Sequence, residues 1–453
     1  MRQIPLAANV IQSARRYILK ITPQRALILS FLALSLVGTL LLKLPIASHQ
    51  PTSWGEALFT AVSAATVTGL VVVDTGSHFT LFGQWVLIVL MQAGGLGLMT
   101  FGLLIIQLLN GRLGLAHRAV LGEVVNQGSQ ADMKRLLFLL FGFTAFVELI
   151  GTALLALQWI PEMGFTRGLY YSFFHSISAF NNAGFGLEAD SLTKYVGNPL
   201  INAVISGLFI TGGIGFIVII DMLGKKRFEK YALHTKMMLI GTLFINVVAM
   251  LIVFLLEYGN PKTLGALPEL SDQLWAAWFQ GVVTRTAGFN TIDIAALGPA
   301  TAFFMMGLMF IGAGSGSTAS GIKLSTFIVL LLATRACLFN RAKPVAFGRS
   351  VGGDIVFRAL AITVIGLFCV VTGIFLLCVT ESATFLDLAF EAVSAFGTVG
   401  MSRGITASLS SPGQLLIMVL MLIGRVGPLT LAFTLATAHP ARVQFPEGRV
   451  SVG

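Results

Sequence analysis

Apolar stretches as long as a membrane span recur along the whole chain. Eight of them, separated by more polar segments, lie at about 26–47, 82–109, 136–160, 199–223, 237–256, 298–334, 355–380 and 413–437. A helix of about 20 apolar residues crosses the hydrocarbon core of a bilayer. The pattern therefore predicts eight spanning helices. The first run is too long for the apolar region of a signal peptide and no A-x-A cleavage site follows it, so we expect it to remain as an anchor.

The composition agrees with a chain that lies mostly in lipid. Apolar residues make up 56% of it and charged residues 11%, whereas soluble domains carry about 25% charged residues. The formal net charge of +10 would suggest nucleic-acid binding in a soluble protein. Here the basic residues fall in loops, and no nucleic-acid partner is expected. Cys337, Cys369 and Cys378 have neither zinc-ligand spacing nor the number for a disulfide framework, which predicts packing roles.

The loops on the two sides of the predicted helices differ in charge. Those on one side are basic and contain Arg112, Arg118, Lys134, Arg135, Lys225, Lys226, Arg227, Lys230, Lys236, Arg335, Arg341, Lys343 and Arg349. By the positive-inside rule they face the cytoplasm, as do both termini. The opposite loops contain Glu56, Asp74, Glu162, Glu188, Asp190, Glu257, Glu269, Asp272, Asp293, Glu381 and Asp387. Each is most simply a solvated loop charge, and together they would attract cations to an outer mouth.

A repeated motif lies between the two spans of each predicted pair. Residues 56–69 align with 387–400 without a gap and share the core Phe-x-Ala-Val-Ser-Ala, ending in Gly. A second copy ends at Gly184 and a third at Gly288, and both contain Ala-Gly-Phe. Each copy predicts a helix of about three turns followed by extended residues. Non-helical backbone survives at membrane depth only where protein buries it or where it lines a wet cavity, so we expect the four segments to meet around one axis.

Four such segments could bind a monovalent cation, because rings of backbone carbonyls can replace its hydration shell. Glycine supplies the backbone angles that aim a carbonyl inward. The fourth copy reads Thr-Val-Gly, the opening of the TVGYG filter string of potassium channels, and the others are degenerate versions of it. The predicted filter residues are Val67, Thr68, Gly69, Asn182, Ala183, Gly184, Thr286, Ala287, Gly288, Thr398, Val399 and Gly400.

The helix after each filter segment carries a glycine cluster at a similar depth. The clusters begin at Gly94, Gly212, Gly312 and Gly424, and for the first two the simplest interpretation is close helix packing. The third is too polar and flexible to remain helical at the bilayer midplane, which predicts a loop over 312–321 that borders water in the pore. It is not a phosphate-binding P-loop, because the Gly-Lys-Ser/Thr string is missing.

A predicted gate combines this loop with charged side chains. Arg425 stands near the middle of the last span, where the equivalent positions hold small residues. Below the filter it would oppose cation passage, or it would cap carbonyl groups and stabilise the fold. The predicted gate residues are Gly312, Ala313, Gly314, Ser315, Gly316, Ser317, Thr318, Ala319, Ser320, Gly321, Lys323 and Arg425.

The expected fold is an all-α integral membrane protein. It consists of four pseudo-repeats of helix, pore helix with filter loop, and helix, arranged around one central pore. The predicted division of the chain is a cytosolic N-terminus (1–24), repeat 1 (25–111), repeat 2 with its preceding cytosolic linker (112–223), repeat 3 with a broken inner helix (224–334), repeat 4 with its linker (335–437) and a cytosolic C-terminal tail (438–453).

These motifs resemble the Trk/Ktr/HKT superfamily of cation transporters over nearly the whole chain. The resemblance rests on the four filter glycines, the Gly/Ser-rich interruption at 312–321 and Arg425. It implies potassium (K⁺) uptake across the bacterial cytoplasmic (inner) membrane, with sodium (Na⁺) as a stimulating ion. It also implies a homodimer in membrane lipid and a cytosolic octameric ring of KtrA-type RCK domains that binds nucleotide (ATP or ADP) and gates the pore. All four filter positions are Gly, so potassium selectivity is expected.

Two other classes of protein remain as alternatives. A secondary transporter of another solute also places broken helices at the midplane, but it predicts inverted repeats rather than four similar segments. An intramembrane enzyme is disfavoured, because His175 lies in a pore helix, Glu148 stands alone in a span, and no Ser/His/Asp or HExxH pattern exists. We therefore expect no catalytic activity. Potassium-dependent growth of uptake-deficient cells would separate the three.

Overall fold

The structure, a computed structural model, describes residues 23–97, 130–225 and 227–427. The predicted N-terminal segment up to residue 22, the linker around Arg112 and Arg118, the far ends of the second and eighth predicted spans, Lys226 and the C-terminal tail lie outside these ranges.

The described chain is almost entirely helical. In chain order the helices are α1 (Pro23–Leu42), α2 (Trp54–Ala65), α3 (Thr75–His78), α4 (Leu81–Gly95), α5 (Gln130–Met163), α6 (Phe165–Phe180), α7 (Pro199–Ile214), α8 (Phe216–Gly224), α9 (Leu233–Glu257), α10 (Leu270–Val283), α11 (Pro299–Phe310), α12 (Leu324–Leu338), α13 (Gly353–Thr380), α14 (Phe385–Gly397) and α15 (Ser411–Val426). A hairpin of β1 (Val345–Ala346) and β2 (Arg349–Ser350) follows α12. This architecture confirms the predicted all-helical fold.

Three kinds of helix recur in the same order. The outer helices α1, α5, α9 and α13 each precede a short pore helix, which is α2, α6, α10 or α14. The inner helices follow, and they are α4, the pair α7 and α8, the pair α11 and α12, and α15. We use these three names for the helices throughout.

The outer helices contain the long spans. Within the described ranges, helices long and apolar enough to cross a membrane are found over Arg25–Leu42, Phe138–Met163, Leu233–Glu257 and Gly353–Thr380. Only a minority of each span is buried in the protein, and large apolar side chains such as Leu36, Phe146 and Phe244 are exposed. Exposed apolar faces of this size are typical of helices that contact lipid.

The pore helices have the opposite character. They contain 12 to 16 residues, which at about 1.5 Å per residue is too short to cross a bilayer. The last five residues of each are buried, and each contains a fully buried phenylalanine: Phe59, Phe174, Phe279 or Phe390. Caps fix where some of them begin: Ser53 and Glu56 form a capping box at α2, and Thr384 caps α14.

The inner helices are short or interrupted. The predicted single span over 199–223 is wrong in detail, because α7 and α8 meet at an angle of 92°. The chain turns at Gly215, whose φ of 104° suits glycine. The predicted interruption of the third inner helix is present, since 311–323 separates α11 from α12. Each inner helix is thus interrupted or ends at its glycine cluster. The second and third are interrupted there, whereas α4 ends at Gly95 and α15 ends at Val426.

Candidate functional site

The four predicted filter glycines lie in one closed ring. A methyl group built on Gly400 would lie 2.1 Å from the Thr68 carbonyl oxygen, and one on Gly69 would lie 2.4 Å from that of Ala183. The circuit continues in the same way: a methyl group on Gly184 would lie 3.0 Å from the Ala287 carbonyl oxygen, and one on Gly288 would lie 2.8 Å from the Val399 carbonyl oxygen. Each glycine therefore faces the carbonyl that precedes the glycine of the next repeat. Separate regions of the sequence meet around one axis.

The filter backbone has the same unusual conformation in all four copies. Residues Val67, Asn182, Thr286 and Thr398 have φ between 49° and 71°, and the glycine two positions later also has positive φ. The residue between them has no positive φ. Alternating handedness turns successive carbonyl groups to one side of the chain, which suits a ring that coordinates cations. Positive φ is rare for non-glycine residues, β-branched ones above all, and strain of this kind clusters at functional sites.

The pore helices hold the filter segments through backbone hydrogen bonds. The amide groups of Thr68, Ala183 and Val399 donate to the carbonyl groups of Ser63, Ser178 and Ser394, each at 2.8 Å. The third copy differs, because Ala287 donates instead to Val283, at 3.1 Å. The segments are thus alike in shape but not identical in their support.

A cavity of about 270 Å³ opens above the ring. All four filter glycines line it, together with Asp74 and Glu188 from the outer loops. Carboxylates at the mouth of a confined cavity raise the local concentration of cations. The structure therefore places two of the predicted acidic residues beside the ring.

Other acids of the outer loops have structural contacts that the sequence did not indicate. Glu257 is 1% exposed and accepts hydrogen bonds from the Gly298 amide at 2.9 Å and from the Thr301 hydroxyl, at the start of α11. Glu381 accepts hydrogen bonds from the amide and hydroxyl of Ser410, at the start of α15. Acids at helix N-termini are stabilising. For these two residues, the expectation of a solvated loop charge is wrong.

Asp387 lies at the start of α14 and pairs with Arg403 at 2.7 Å. Burial opposes its ionisation, but hydrogen bonds from Thr384 and Arg403 outweigh burial, so the pKa of Asp387 lies below its ordinary value. Arg403 also donates to the carbonyl groups of Ile294, Ala295 and Leu297. This arginine therefore joins the end of the fourth filter segment to the outer loop of repeat 3.

The loop over 312–321 lies directly below the ring. The Thr318 side chain is fully buried and donates to the Asn182 side-chain oxygen, at 2.9 Å. Asn182 is a predicted filter residue of repeat 2, so this bond joins the loop to the second of the four segments. Lys323 donates to the Ala319 carbonyl at 2.6 Å and braces the end of the loop.

The break in the second inner helix is the seat of this loop. Gly314 donates to the Gly213 carbonyl at 2.7 Å, and Phe216 donates to the Gly316 carbonyl at 3.1 Å. A methyl group on Gly215 would lie 2.6 Å from the Ser315 carbonyl oxygen. The cluster that begins at Gly212 therefore holds the loop of the next repeat. Nothing in the sequence distinguishes it from the cluster at Gly94, so this role was missed.

Arg425 crosses the space below the ring and contacts two repeats. It donates to the carbonyl groups of Thr318 and Gly94 and to the Ser320 hydroxyl, the last at 3.0 Å. The guanidinium thus connects the loop of repeat 3 to the end of α4 in repeat 1. Of the two roles considered from the sequence, the contacts match carbonyl capping.

Two isolated polar residues have packing partners. His175 is completely buried and its Nδ1 lies 2.9 Å from the Tyr171 carbonyl oxygen. Glu148 accepts hydrogen bonds from Gln92 at 3.2 Å and from Asn181 at 3.1 Å. The carboxylate therefore connects an outer helix to α4 and to the end of α6.

Three of the glycine clusters allow inner and pore helices to touch. A methyl group built on any of three glycines would lie within about 2 Å of a carbonyl oxygen: Gly94 faces Ala65, Gly212 faces Phe180 and Gly424 faces Phe396. In each repeat this carbonyl belongs to the residue four positions before the filter glycine. Glycine therefore lets the two helices pack closely. Close packing, expected for the first two, is thus also found for the fourth. In the third repeat Gly312 contacts the Ser320 carbonyl of the loop.

A matched pair in α7 tests this packing. Gly212→Ala should lower the Tm of the purified protein by several degrees, because its methyl group would lie 1.9 Å from the Phe180 carbonyl oxygen. Gly207→Ala should leave the Tm unchanged or raise it, since no atom of the described residues lies within 4 Å of the added methyl group and alanine favours the helix. Equal Tm values for the two variants would show that the contact is absent.

Together the fold and the ring define a class: an integral membrane protein in which four re-entrant segments converge on one axis. Residues 21–445 match the sequence profile of a family, TrkH, described as cation transport protein. The chain belongs to this family of cation transport proteins.

Named relatives agree with this assignment. The chain is 49% identical over 434 residues to the "Ktr system potassium uptake protein B" of Bacillus subtilis, covering 96% of this chain and 97% of the relative. It is 45% identical to the protein of the same name from Vibrio alginolyticus, covering 95% and 94%. The crystal structure of the potassium transporter TrkH from Vibrio parahaemolyticus has the same fold, with a TM-score of 0.71, 19% identity and coverage of 92% and 86%.

Proposed function

We propose that this protein takes up potassium across the cytoplasmic membrane through a pore formed by its four filter segments. The observation that carries the proposal is the closed circuit in which each filter glycine faces a carbonyl of the next repeat. The names of the two Ktr relatives, which match over nearly their whole length, support potassium as the transported ion.

The filter is formed by the carbonyl groups of the twelve residues predicted from the sequence. The uniform backbone handedness and the glycine at all four positions support this assignment. Carbonyl rings replace the hydration shell of potassium at little cost when their oxygens are already in place. Only the segment of repeat 2 has a glycine, Gly186, where the TVGYG string has its second one, so fewer ordered ion sites are expected than in a potassium channel.

The gate is the loop over 312–321 together with Lys323 and Arg425. Support comes from the position of the loop, which lies below the filter and bonds to Asn182, and from the Arg425 guanidinium that holds it to α4. A positive charge in a narrow pore of low effective dielectric opposes cation passage strongly. Loop movement would then remove both the obstruction and its electrostatic barrier.

The native assembly is a homodimer whose cytosolic side binds an octameric ring of KtrA-type RCK subunits. The relatives' designation as protein B of a Ktr system supports a partner subunit. Nucleotide (ATP or ADP) acts on that partner, and sodium stimulates uptake. Both termini are cytosolic, in accord with the basic character of the loops that contain Lys225, Lys230 and Arg341.

Growth and flux measurements test the proposal. Cells that lack their own potassium uptake should grow at low external potassium when they express this chain with a KtrA-type partner. The purified complex in vesicles should carry potassium in preference to sodium. If growth is not rescued and the vesicles carry neither cation, a secondary transporter of another solute becomes the better interpretation, and the broken inner helices would then border its binding site.

A further inference from the structure

Hydrogen bonds fix the backbone that leaves each filter segment, but the supporting residue differs between repeats. In repeat 1 the Gly69 amide donates to the Ser63 hydroxyl, at 3.1 Å. In repeat 2 the Ser178 hydroxyl donates to the Phe185 carbonyl, at 2.7 Å. These serines occupy the same position, six residues before the filter glycine. A hydroxyl group of the pore helix thus positions the end of the filter in both repeats.

Repeat 3 lacks this serine, because Val282 stands at the equivalent position. The residues that follow the filter glycine, here called the exit segment, are held in repeat 3 by the neighbouring repeat 2. The Leu192 amide donates to the Asn290 carbonyl at 3.0 Å, and the Asn290 amide donates to the Ser191 hydroxyl at 3.2 Å. A different contact therefore supplies the same support.

Repeat 4 retains the serine, but the serine does not act in the same way. Among the described residues, the buried Ser394 hydroxyl has no hydrogen-bond partner. Glu391, one helical turn earlier, is completely buried and accepts hydrogen bonds from Ser402 at 2.8 Å and from Thr406 at 2.5 Å. The Ser402 hydroxyl also accepts a hydrogen bond from the Gly404 amide, at 3.0 Å. The carboxylate therefore organises the whole exit segment of the fourth filter.

The position of Glu391 is distinctive in sequence as well. The equivalent residues, nine before the filter glycine, are Thr60, His175 and Phe279, so repeat 4 alone carries a carboxylate there. Both hydroxyl groups that it binds belong to residues that line the outer cavity beside Gly400. A buried carboxylate without good partners is costly, and hydrogen bonds to charged groups are among the strongest in proteins.

We propose that Glu391 is a positioning residue that sets the affinity and selectivity of the filter for potassium. It acts through Ser402 and Thr406, which fix the backbone after Gly400 and so hold the fourth quarter of the carbonyl ring. The carboxylate does not contact the ion. This inference rests on the proposed potassium uptake and identifies a residue that tunes it.

Transport by Glu391→Gln and Ser402→Ala tests the proposal in the full complex. Each variant should raise the KM for potassium about tenfold and lower the preference for potassium over sodium, while the maximal rate changes less than twofold. The double variant should be no worse than Glu391→Gln alone, because the two residues act through one contact. Thr406→Val should have a smaller effect in the same direction.

Glu257→Gln is the matched control. Glu257 is also a buried carboxylate that accepts hydroxyl hydrogen bonds, but it is the last residue of α9, bonds to the start of α11 and does not line the outer cavity. Both glutamine variants should lower the Tm, and only Glu391→Gln should change the KM and the selectivity. A purely structural role for Glu391 predicts the same transport profile for both.

The outcomes separate the inference from the function on which it rests. Absence of potassium transport by the unaltered complex would overturn the proposed function itself. Transport by the unaltered complex, with Glu391→Gln within twofold of it in KM and selectivity at equal abundance, would overturn the role of Glu391. If Glu391→Gln does not reach the membrane, Ser402→Ala decides alone, and an unchanged KM in that variant contradicts the proposal.

Discussion

Serine at Gly400 is expected to remove high-affinity, selective potassium uptake. The added Cβ would lie 2.1 Å from the Thr68 carbonyl oxygen, and the φ of 88° is strained for any residue with a side chain. Strain of this kind costs about 1–3 kcal/mol, which corresponds to roughly 5- to 150-fold in affinity. The measurement is the KM for potassium and the potassium-to-sodium preference at equal surface abundance.

The equivalent variants at Gly69, Gly184 and Gly288 should act in the same direction. The added Cβ would lie 2.4 Å, 2.6 Å and 2.7 Å, respectively, from the nearest backbone atom. Because a closer contact disturbs the ring more, the expected order of decreasing severity is Gly400, Gly69, Gly184 and Gly288. Effects in only some copies would indicate an asymmetric filter.

Gly348→Ser is the control for backbone strain alone. Gly348 has a φ of 74° and lies between β1 and β2, away from the ring, and no atom of the described residues lies within 4 Å of an added Cβ. It should retain a near-normal KM. If all four filter variants transport potassium with unaltered affinity, or if Gly348→Ser is as impaired as Gly400→Ser, the ring is not the filter.

The repeats could be predicted because their signal is local and periodic. The motif that ends at Gly69 recurs at Gly400 without a gap, and a short apolar helix that ends in glycine has few possible structures in lipid. The polar loop after Gly312 was recognisable for the same reason, since its composition conflicts with a buried helix. Both features depend on residues that are close together in sequence.

Other features depend on contacts between distant repeats. The break at Gly215 resembles ordinary glycine packing in the sequence, and only the neighbouring loop shows why the helix turns there. Val67 and Thr398 adopt positive φ although β-branched residues disfavour it, because the surrounding helices determine the backbone. Glu257 resembled a loop charge, and no pattern in the sequence singled out Glu391. The hydrogen-bond partners of both lie in segments that composition cannot place.

Releasing the loop below the filter is expected to increase potassium flux. A deletion within 313–320 should raise the maximal rate about tenfold and make it less dependent on the cytosolic partner, because the loop would no longer reach Asn182 and Arg425. The KM should stay close to that of the unaltered complex, since the filter glycines are untouched. Lower flux at equal abundance and equal KM would place the gate elsewhere.

Arg425 variants separate the two contributions of this side chain. Arg425→Ala removes both the charge and the contacts with Thr318 and Gly94, and should raise the flux about as much as the deletion does. Arg425→Lys keeps the charge, but a single ammonium group cannot reproduce the planar guanidinium fork that contacts both repeats. If the flux of Arg425→Lys matches that of Arg425→Ala, the contacts hold the gate closed, whereas flux at the unaltered level assigns the barrier to the charge. Arg335→Ala, which removes an exposed positive charge from α12, should leave the flux unchanged. An increase in that control as well would mean that net charge, rather than the position of Arg425, controls the flux.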